Sequence, residues 1–416
     1  MPNSDVAVVI IGGGAAGVAA GRRLHDAEID CLIVEARPRL GGRAWTVVDR
    51  SGFALDLGCG WLHSADRNPW AEVAERQGLT VDKTPPPWGR PAIPTGFPLS
   101  EQQDYRKAIH EFYGRLSEIS KRDPDVAAVA ALAPGCRWNN LINAIATYIS
   151  GAELDRVSAR DFENYEDTEV NWRVIEGYGT TIAAHGADVP AVLGRAVRRI
   201  DHGGKRLRIE TSNGVISADQ AIVTLPSAVI AAEEQLFSPA LAEKTQSAAG
   251  LPLGLAGKLF LSLTRAEEFE RDSRVIGNPD NTATSTYQFR PFGRPLIEAY
   301  FGGSFARELE AGGERAFFDF AVSELVGLFG SDFAARLSFN HMHCWGSDTF
   351  ARGSYSYAVP GKADCRGRLT APVDDRLFFA GEACSLHDFS TAHGGFLTGV
   401  AAAEQVIAVR RRTAKN

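Results

Sequence analysis

The first residues whose types and spacing could do chemistry are three glycines and one acid near the start of the chain. Gly12, Gly14 and Gly17 form the pattern G-x-G-x-x-G, and Glu35 follows Gly17 by 18 residues. The first glycine permits a tight turn, the second lets a pyrophosphate approach the backbone, and the third lets a helix pack against a strand. A carboxylate placed like Glu35 can accept hydrogen bonds from a ribose. Together the four residues predict a dinucleotide-binding site.

The neighbouring segments have the character needed to position these residues. Residues 6–11 and residues 29–34 are continuous apolar runs, typical of strands buried on both faces. Between them, the Ala-rich stretch that starts at Ala15 and Ala16 favours a helix whose N-terminal N–H groups face the phosphates. An ordinary βαβ unit with a Gly-rich turn is the alternative. The agreement of strand, glycines, helix and acid favours the dinucleotide site.

A second glycine pair follows the acid. Gly41, Gly42 and Arg43 come shortly after Ala36 and Arg37. Backbone amides at such a pair and a nearby guanidinium can contact a pyrophosphate, and a solvated basic loop is the alternative. The stretch resembles the G-G-R segment of two-dinucleotide-fold flavoproteins, which include the flavin-containing amine oxidases. The resemblance implies FAD as the cofactor.

Composition limits the classes of function. The chain has 416 residues and a formal net charge of −7 with no basic stripe, which argues against nucleic acid as a partner. No apolar run is long enough to predict a membrane span, and the early first strand predicts no signal peptide. Six scattered cysteines without a C-x-x-C pair predict reduced thiols, no metal site and a cytoplasmic location.

Residues 56–63 resemble the D-x-G-x-x-W-[IL]-H segment that lines the active site in the polyamine-oxidase branch of this family. The glycines would turn a strand and bring an indole and an imidazole close together. A structural histidine is the alternative for His63. The resemblance places these residues at the cofactor or the substrate: Gly58, Cys59, Gly60, Trp61 and His63.

Two positions in the middle of the chain are matched mainly by their order. Residues 257–263 predict a strand headed by Lys258. In the family a lysine there is bridged by a water to flavin N5, whereas a solvated strand-end lysine is the alternative. Val197 matches a family valine that contacts the adenine side of the cofactor.

The last 72 residues resemble the most specific motifs of the family. Residues 345–357 are similar to W-x(n)-G-[SA]-Y-S, and residues 379–399 are similar to F-x-G-E followed by T-[VA]-H-G-A-x-x-S-G. The glycine-rich start of the last helix would place a positive dipole end beside flavin N1 and O2. The resemblance assigns these residues to the site: Trp345, Tyr355, Gly381, Glu382, Thr391, Ala392 and His393.

These segments predict an α/β fold, α+β overall. A Rossmann FAD domain of the two-dinucleotide-binding type would be interleaved with a substrate domain of mixed sheet and helices. The predicted FAD domain comprises residues 1–85, 176–250 and 345–416, and the predicted substrate domain comprises a helical part at 86–175 and a second part at 251–344. In the helical part, periodicity predicts an amphipathic helix over 99–121 with a core-facing stripe, and helices over 126–132 and 138–148. Asn213-Gly214 predicts a hairpin turn, and residues 334–343 predict a strand.

The resemblance implies oxidation of an amine to an imine by hydride transfer to flavin N5. Oxygen would reoxidise the flavin and give H2O2, and water would hydrolyse the imine to an aldehyde and an amine or ammonia. Aromatic side chains could orient a neutral amine and exclude water, and the candidates are Trp61, Tyr355, Tyr357 and Trp345. The candidate catalytic residues are Lys258, His63, Trp61, Tyr355 and Thr391.

Two departures from the family narrow the substrate. Thr391 stands where some members have a second tyrosine beside the amine, and Trp61 stands where L-amino acid oxidases have an arginine for the carboxylate. A polyamine, or another primary or secondary amine, therefore fits better than a monoamine-oxidase substrate or an amino acid. Ser354 stands where monoamine oxidases attach the flavin to a cysteine, so FAD is expected to be non-covalent.

Three alternatives stay open for the function. The chain could be an FAD-dependent dehydrogenase or desaturase with a non-oxygen acceptor, an L-amino acid oxidase, or a non-catalytic FAD-binding protein. The expected partners are a small-molecule amine and molecular oxygen, with neither nucleic acid nor membrane. The chain is expected to be a monomer or a homodimer.

Overall fold

The computed structural model describes residues 5–413, which form two large sheets, three two-stranded sheets and twelve α-helices. The strands in chain order are β1 Asp5–Ile11, β2 Cys31–Val34, β3 Thr46–Val48, β4 Ala54–Asp56, β5 Val81–Asp82, β6 Arg173–Val174, β7 Ala191–Val192, β8 Val197–Asp201, β9 Leu207–Thr211, β10 Gly214–Val223, β11 Phe237–Ser238, β12 Leu253–Gly254, β13 Ala256–Leu263, β14 Ser273–Ile276, β15 Thr286–Phe289, β16 Leu296–Gly302, β17 Leu337–Met342, β18 Tyr355–Ser356 and β19 Leu377–Phe379. The α-helices are α1 Ala15–Asp26, α2 Pro69–Arg76, α3 Leu99–Ile119, α4 Asn139–Ser150, α5 Ala159–Asn164, α6 Tyr178–His185, α7 Ser227–Ala232, α8 Ala242–Ala249, α9 Gly303–Ala311, α10 Gly313–Phe329, α11 Cys365–Thr370 and α12 Ala392–Thr413. Short 3₁₀ helices span Pro87–Gly89, Ala128–Ala131, Ala266–Glu268, Pro291–Gly293, Ser331–Arg336 and Glu382–Cys384.

The first sheet contains the predicted dinucleotide-binding strand. Its order is β11-β8-β9-β10-β1-β2-β7, and β19 also pairs with β10. β1 lies parallel between β10 and β2, with Ile10 opposite both Ile222 and Ile33. These side chains are fully buried, as expected for a parallel strand covered on both faces. The predicted α/β fold, with a Rossmann-type β1-α1-β2 unit, is confirmed.

Helices α1 and α12 cross at close range beside this sheet. A Cβ atom added at Gly399 of α12 would lie 2.2 Å from the carbonyl oxygen of Ala16 in α1. Gly399 thus allows the two helices to approach backbone to backbone. The crossing brings the N-terminal ends of both helices to the carboxyl edge of the sheet, where the site lies.

The second sheet is antiparallel, with the order β14-β15-β16-β13-β17. Its core contains Phe301 of β16 and Leu261 of β13, together with Phe317 and Leu325 of α10. A separate core joins α3 to α4 and includes Phe112, a residue of the predicted apolar stripe of α3. The expectation that this stripe is core is confirmed.

The two sheets draw on different stretches of the chain. The strands of the first sheet come from residues 5–34, 191–238 and 377–379, and those of the second come from residues 256–342. The hairpin at Asn213-Gly214 is confirmed, with Gly214 opposite Thr211. The domain boundaries themselves stay a prediction.

Two local predictions differ from the structure. The stretch 126–132 contains a single 3₁₀ turn, and the strand expected from residue 334 starts at Leu337 because a 3₁₀ helix precedes it. All six cysteines are unpaired. Within residues 5–413, the helices fall short of the length and apolar character that crossing a bilayer requires.

Candidate functional site

A cavity of about 850 Å³ runs from the carboxyl edge of the first sheet to the second sheet. Nearly all of the predicted site residues line it: Gly12, Gly14, Ala15, Ala16, Glu35, Ala36, Arg37, Gly41, Gly42, Arg43, Gly58, Cys59, Gly60, Trp61, His63, Val197, Lys258, Trp345, Tyr355, Gly381, Glu382, Thr391 and Ala392. The predicted site residues that do not line it are Gly17, His393 and Tyr357. Motifs from both ends of the chain therefore meet at one cavity.

The glycine motif forms the turn between β1 and α1. Gly12 has a φ of +105°, which an L side chain rarely adopts. Gly14 is the N-cap of α1, and a Cβ atom there would meet only the Cα of Gly42, at 3.9 Å, and would otherwise project into the open cavity. Gly17 is a packing residue, because its Cβ would lie 1.9 Å from the carbonyl oxygen of Gly12. The turn predicted at Gly12 and the packing predicted at Gly17 match this geometry, and the approach of a pyrophosphate at Gly14 stays a prediction.

Glu35 is held at the end of β2 by backbone hydrogen bonds. Its Oε2 accepts from the N–H of Gly13 at 2.6 Å, and its Oε1 accepts from the N–H of Arg37 at 2.7 Å. Each carboxylate oxygen has a further acceptor direction. The carboxylate is therefore fixed at the cavity wall and can still accept hydrogen bonds from a bound hydroxyl.

Arg37 and Arg43, both predicted to be cofactor-binding residues, have carboxylate partners. Arg37 binds Asp348 through two hydrogen bonds, of 2.8 and 2.6 Å. Burial would raise the pKa of Asp348, but hydrogen bonds from His343 and Arg37 outweigh it and hold that pKa well below its usual range. Arg43 Nη1 donates to Glu382 at 2.9 Å and to the carbonyl oxygen of Ser354 at 2.7 Å. These ion pairs fix both guanidinium groups at the cavity wall, and contact of Arg43 with a pyrophosphate stays a prediction.

A second helix N-terminus reaches the cavity at α12. Thr391 caps this helix, because its Oγ1 accepts from the N–H of Gly394 at 3.0 Å. Thr391, Ala392 and Gly395 line the cavity. His393 instead lies in the protein interior, with Nε2 3.1 Å from Asp388 Oδ1, so its assignment as a cavity residue is corrected to a buried partner of Asp388.

Aromatic residues line the end of the cavity that faces the second sheet. Besides Trp61 and Tyr355 they include Tyr148, Tyr300 and Phe301, which sequence reasoning missed; the ring of Phe301 itself packs in the core of the second sheet. The hydroxyl of Tyr355 donates a hydrogen bond to the backbone carbonyl oxygen of Tyr148. This bond fixes the ring of Tyr355 against α4. We call this end the aromatic chamber and define it by these five residues. No motif marks the three missed residues, which lie on α4 and β16.

Two further aromatic predictions have different outcomes. Trp345 lines the cavity and donates from Nε1 to the carbonyl oxygen of Leu57 at 3.0 Å. Tyr357 does not line the cavity; it packs in a small core with Ala152 and Val157. The expectation that Tyr357 belongs to the amine-binding wall is therefore wrong.

His63 lies beside the aromatic chamber in neutral form. Its Nδ1 is 2.5 Å from Oδ1 of Asn171, which accepts the Nδ1 proton and leaves Nε2 as an acceptor. Burial lowers the pKa of His63, and this effect outweighs the hydrogen bond to Asn171. The imidazole can accept a hydrogen bond from a bound ligand without adding a charge to the cavity.

Lys258 is a buried cation at the cavity wall. Its Nζ lies 3.2 Å from Oε1 of Glu298, and its side chain is 8% exposed. Glu298 also pairs with Arg173, at 2.9 Å. Burial would raise the pKa of Glu298, but the charges of Arg173 and Lys258 outweigh it and lower that pKa to about 2. The alternative of a solvated strand-end lysine is excluded by this burial.

The residues present fit a bound dinucleotide that carries a flavin. The backbone is bare at Gly14, where a methyl group would enter the cavity, and two helix N-termini open into the same space. Glu35 supplies a fixed carboxylate, and Val197 and Leu236 supply apolar surface at the edge of the first sheet. Phosphate, ribose and an aromatic ring system each have a suitable surface.

Comparisons with known proteins agree with this fit. A family model described as flavin containing amine oxidoreductase matches residues 15–118 and 154–407. Polyamine oxidase 2 of Arabidopsis thaliana is 29% identical over 443 residues, covering 97% of this chain and 88% of that protein. Polyamine oxidase 3 of Oryza sativa subsp. japonica is 28% identical, covering 95% of this chain and 88% of that protein. Lysine-specific histone demethylase 2 of Homo sapiens is 23% identical, and the match covers 96% of this chain but 53% of the demethylase.

Solved structures show the same fold. Two structures of putrescine oxidase variants, redesigned in cofactor binding, superpose with a TM-score of 0.77 and cover 97% of this chain and 99% of theirs. Sequence identity in these superpositions is 16%. The likeness establishes the fold, and it does so independently of the sequence motifs.

Proposed function

The chain belongs to the flavin-containing amine oxidoreductase family, and we propose that it oxidises a polyamine, or another primary or secondary amine, with non-covalent FAD and with oxygen as the acceptor. Its membership of an amine-oxidising, flavin-dependent family rests on the match over most of the chain. The finer proposal rests on one observation: a single cavity joins the dinucleotide-binding edge of the first sheet to the aromatic chamber. A cofactor and a small amine would meet inside it.

FAD, when bound, supplies the hydride acceptor and the centre at which oxygen is reduced to H2O2. The chain's own part is binding and orientation. Gly12, Gly14 and the N-terminus of α1 would hold the pyrophosphate, and Glu35 would accept from a ribose. The N-terminus of α12, capped by Thr391, would place a positive dipole end at the other cavity wall.

The aromatic chamber is suited to a neutral amine with an aliphatic chain. Rings such as Trp61, Tyr300 and Tyr355 exclude water and contact methylene groups, which favours the uncharged form of a bound amine. Nε2 of neutral His63 can accept a hydrogen bond from the amine N–H and fix its rotation. Hydrolysis of the released imine needs water alone and would give an aldehyde and an amine or ammonia.

Non-covalent binding is supported by the groups at the cavity wall. Ser354 takes the position expected for a flavin-linking cysteine, and its hydroxyl bonds to the backbone of Ala256. Cys59 does line the cavity, but burial raises the pKa of its thiol to about 12, so the thiolate nucleophile is suppressed. A cytoplasmic location stays a prediction from the free cysteines.

The test is anaerobic mixing of the FAD-loaded protein with a panel of amines. We expect polyamines or secondary amines to bleach the flavin absorbance, and we expect H2O2 once oxygen is admitted. Amino acids serve as the matched negative panel. Bleaching by no amine would refute the proposal, and bleaching without oxygen turnover would replace oxygen by another acceptor.

A further inference from the structure

One buried carboxylate connects two parts of the cavity wall that are far apart in sequence. Glu298 of β16 is 0% exposed, and its Oε1 accepts from Lys258 Nζ at 3.2 Å and from Tyr300 Oη at 2.7 Å. Its Oε2 accepts from Arg173 Nη2 at 2.9 Å. Trp61 Nε1 donates in turn to Tyr300 Oη at 3.3 Å. Lys258, Tyr300 and Trp61 line the cavity, whereas Glu298 and Arg173 lie behind them.

The pairing of β13 with β16 places these groups on one face of the second sheet. Lys258 is directly opposite Tyr300, and Phe260 is opposite Glu298. Lys258 and Glu298 are therefore diagonal neighbours, a distance that a long side chain spans. The guanidinium of Arg173 enters from β6 and lies 4.8 Å from the centre of the Trp61 ring. The indole is thus held at its N–H through Tyr300 and at its face by Arg173.

The ionised state of Glu298 sets the direction of every hydrogen bond in the group. A carboxylate only accepts, so Tyr300 must donate to it and keeps a lone pair for the N–H of Trp61, which only donates. The side chains of lysine and arginine can only donate hydrogen bonds. An amide in place of the carboxylate would turn its NH2 group towards Arg173 in one orientation and towards both Lys258 and Tyr300 in the other. No orientation of glutamine satisfies all of them.

We propose that Glu298 is a positioning residue that fixes both the ammonium of Lys258 and the indole of Trp61 at the wall of the aromatic chamber. The inference deepens the proposed function and rests on it for the role of Lys258 beside the flavin. Glu298 itself does not line the cavity. Its effect on chemistry must therefore pass through Lys258 and Trp61.

The test is a double-mutant cycle in the FAD-loaded protein with Glu298→Gln and Lys258→Met. The flavin is reduced photochemically, and its reoxidation by oxygen is followed together with its visible circular dichroism, which reports the groups packed around the ring. We expect Glu298→Gln to slow reoxidation about tenfold with Lys258 present and less than about twofold with Lys258→Met. The circular dichroism should change in Glu298→Gln. Neither readout needs an amine, so failure of the proposed substrate class leaves this result intact.

Glu324→Gln is the matched control. Glu324 is a partly buried carboxylate that accepts from Tyr287 Oη at 2.7 Å and from Thr284 Oγ1 at 2.7 Å; among residues 5–413 it has no cation partner, and it does not line the cavity. We expect both readouts to stay near wild type in this variant, even where its thermal stability falls. Equal slowing by Glu298→Gln in both Lys258 backgrounds, or unchanged circular dichroism, would overturn the proposal.

Tyr300→Phe separates the effect of Glu298 on Lys258 from its effect on Trp61. It also serves as the test if Glu298→Gln does not fold. It keeps the Lys258–Glu298 pair and removes the link to Trp61. We expect a changed visible circular dichroism and a higher KM for the amine, while reoxidation stays within about twofold of wild type. An unchanged visible circular dichroism would contradict the inference that Glu298 positions Trp61 through Tyr300. Flavin reoxidation slowed about tenfold would contradict the inference that Glu298 alone positions Lys258.

Discussion

Alanine at two glycines of the same motif should separate cofactor binding from folding. Gly14 has φ −77° and ψ −171°, an extended conformation that alanine adopts freely, and its added Cβ would meet only Gly42 Cα, at 3.9 Å. At Gly17 the added Cβ would lie 1.9 Å from the carbonyl oxygen of Gly12 and 3.1 Å from Thr224 Oγ1. Gly14 lines the cavity and Gly17 does not. Gly14→Ala should therefore harm FAD binding, and Gly17→Ala should harm folding.

The sizes of the two effects follow from these distances. Gly14→Ala should cost about 1 kcal/mol or less in stability, the usual difference between glycine and alanine at an N-cap. It should displace a phosphate from one backbone hydrogen bond worth about 1.5–3 kcal/mol, which weakens FAD binding about 10- to 150-fold. Gly17→Ala must open a contact from 1.9 Å to at least 3.0 Å between two backbone segments. We expect a cost of about 3 kcal/mol or more, against a gain of about 1 kcal/mol in helix propensity.

The assay is thermal unfolding of the flavin-free protein beside an FAD titration. For 416 residues, an unfolding entropy of about 2.1 cal/mol/K per residue converts the net loss of about 2 kcal/mol in Gly17→Ala into a Tm lowered by roughly 2–3 °C. Gly14→Ala should keep the wild-type Tm without FAD and lose most of the stabilisation that FAD gives. Retention of FAD by Gly14→Ala at wild-type affinity would refute the placement of the phosphates at this turn.

Four further predictions concern the flavin and the chamber. Acid precipitation should release the flavin into the supernatant, because Ser354 replaces a linking cysteine; flavin retained in the pellet would contradict this. Activity should rise between about pH 7 and 9, because an amine with a pKa near 10.4 donates hydride only when neutral. His63→Ala should raise KM more than it weakens FAD binding, since burial lowers the pKa of His63 and the residue stays neutral throughout this range. Lys258→Met should slow reoxidation while FAD is retained, because Glu298 keeps its partner Arg173; rapid mixing of both half-reactions measures it.

The cofactor half of the cavity could be predicted from the sequence because its geometry is a property of local backbone. The turn at Gly12 and the close packing at Gly17 need glycine, and the strand, helix and acid around them lie within about thirty residues, as in any βαβ unit. The hydrogen-bonding state of Arg37 could not be predicted. Its partner Asp348 lies 311 residues away, and no local pattern signals the pair.

The substrate half depends on side chains that tertiary packing brings together. Three of its lining residues lie on segments with no recognisable motif: Tyr148 on α4, and Tyr300 and Phe301 on β16. Tyr357 shows the opposite error, because it stands two residues after Tyr355 within a family motif and yet packs into a different core. In a strand, residues two apart share a face, but β18 ends at Ser356 and the chain turns away.

The difference between the cofactor half and the substrate half of the cavity indicates which residues determine substrate preference. The residues of the glycine motifs would serve the cofactor that all members of the family share, so we expect them not to distinguish one amine from another. The aromatic chamber is different, because its wall is set by Tyr148, Tyr300 and Phe301 and is fixed from behind by Glu298. Substitutions that change which amine is oxidised should therefore fall on α4 and β16. Substitutions in the glycine motifs should change how much FAD is bound and leave the ranking of amines unaltered.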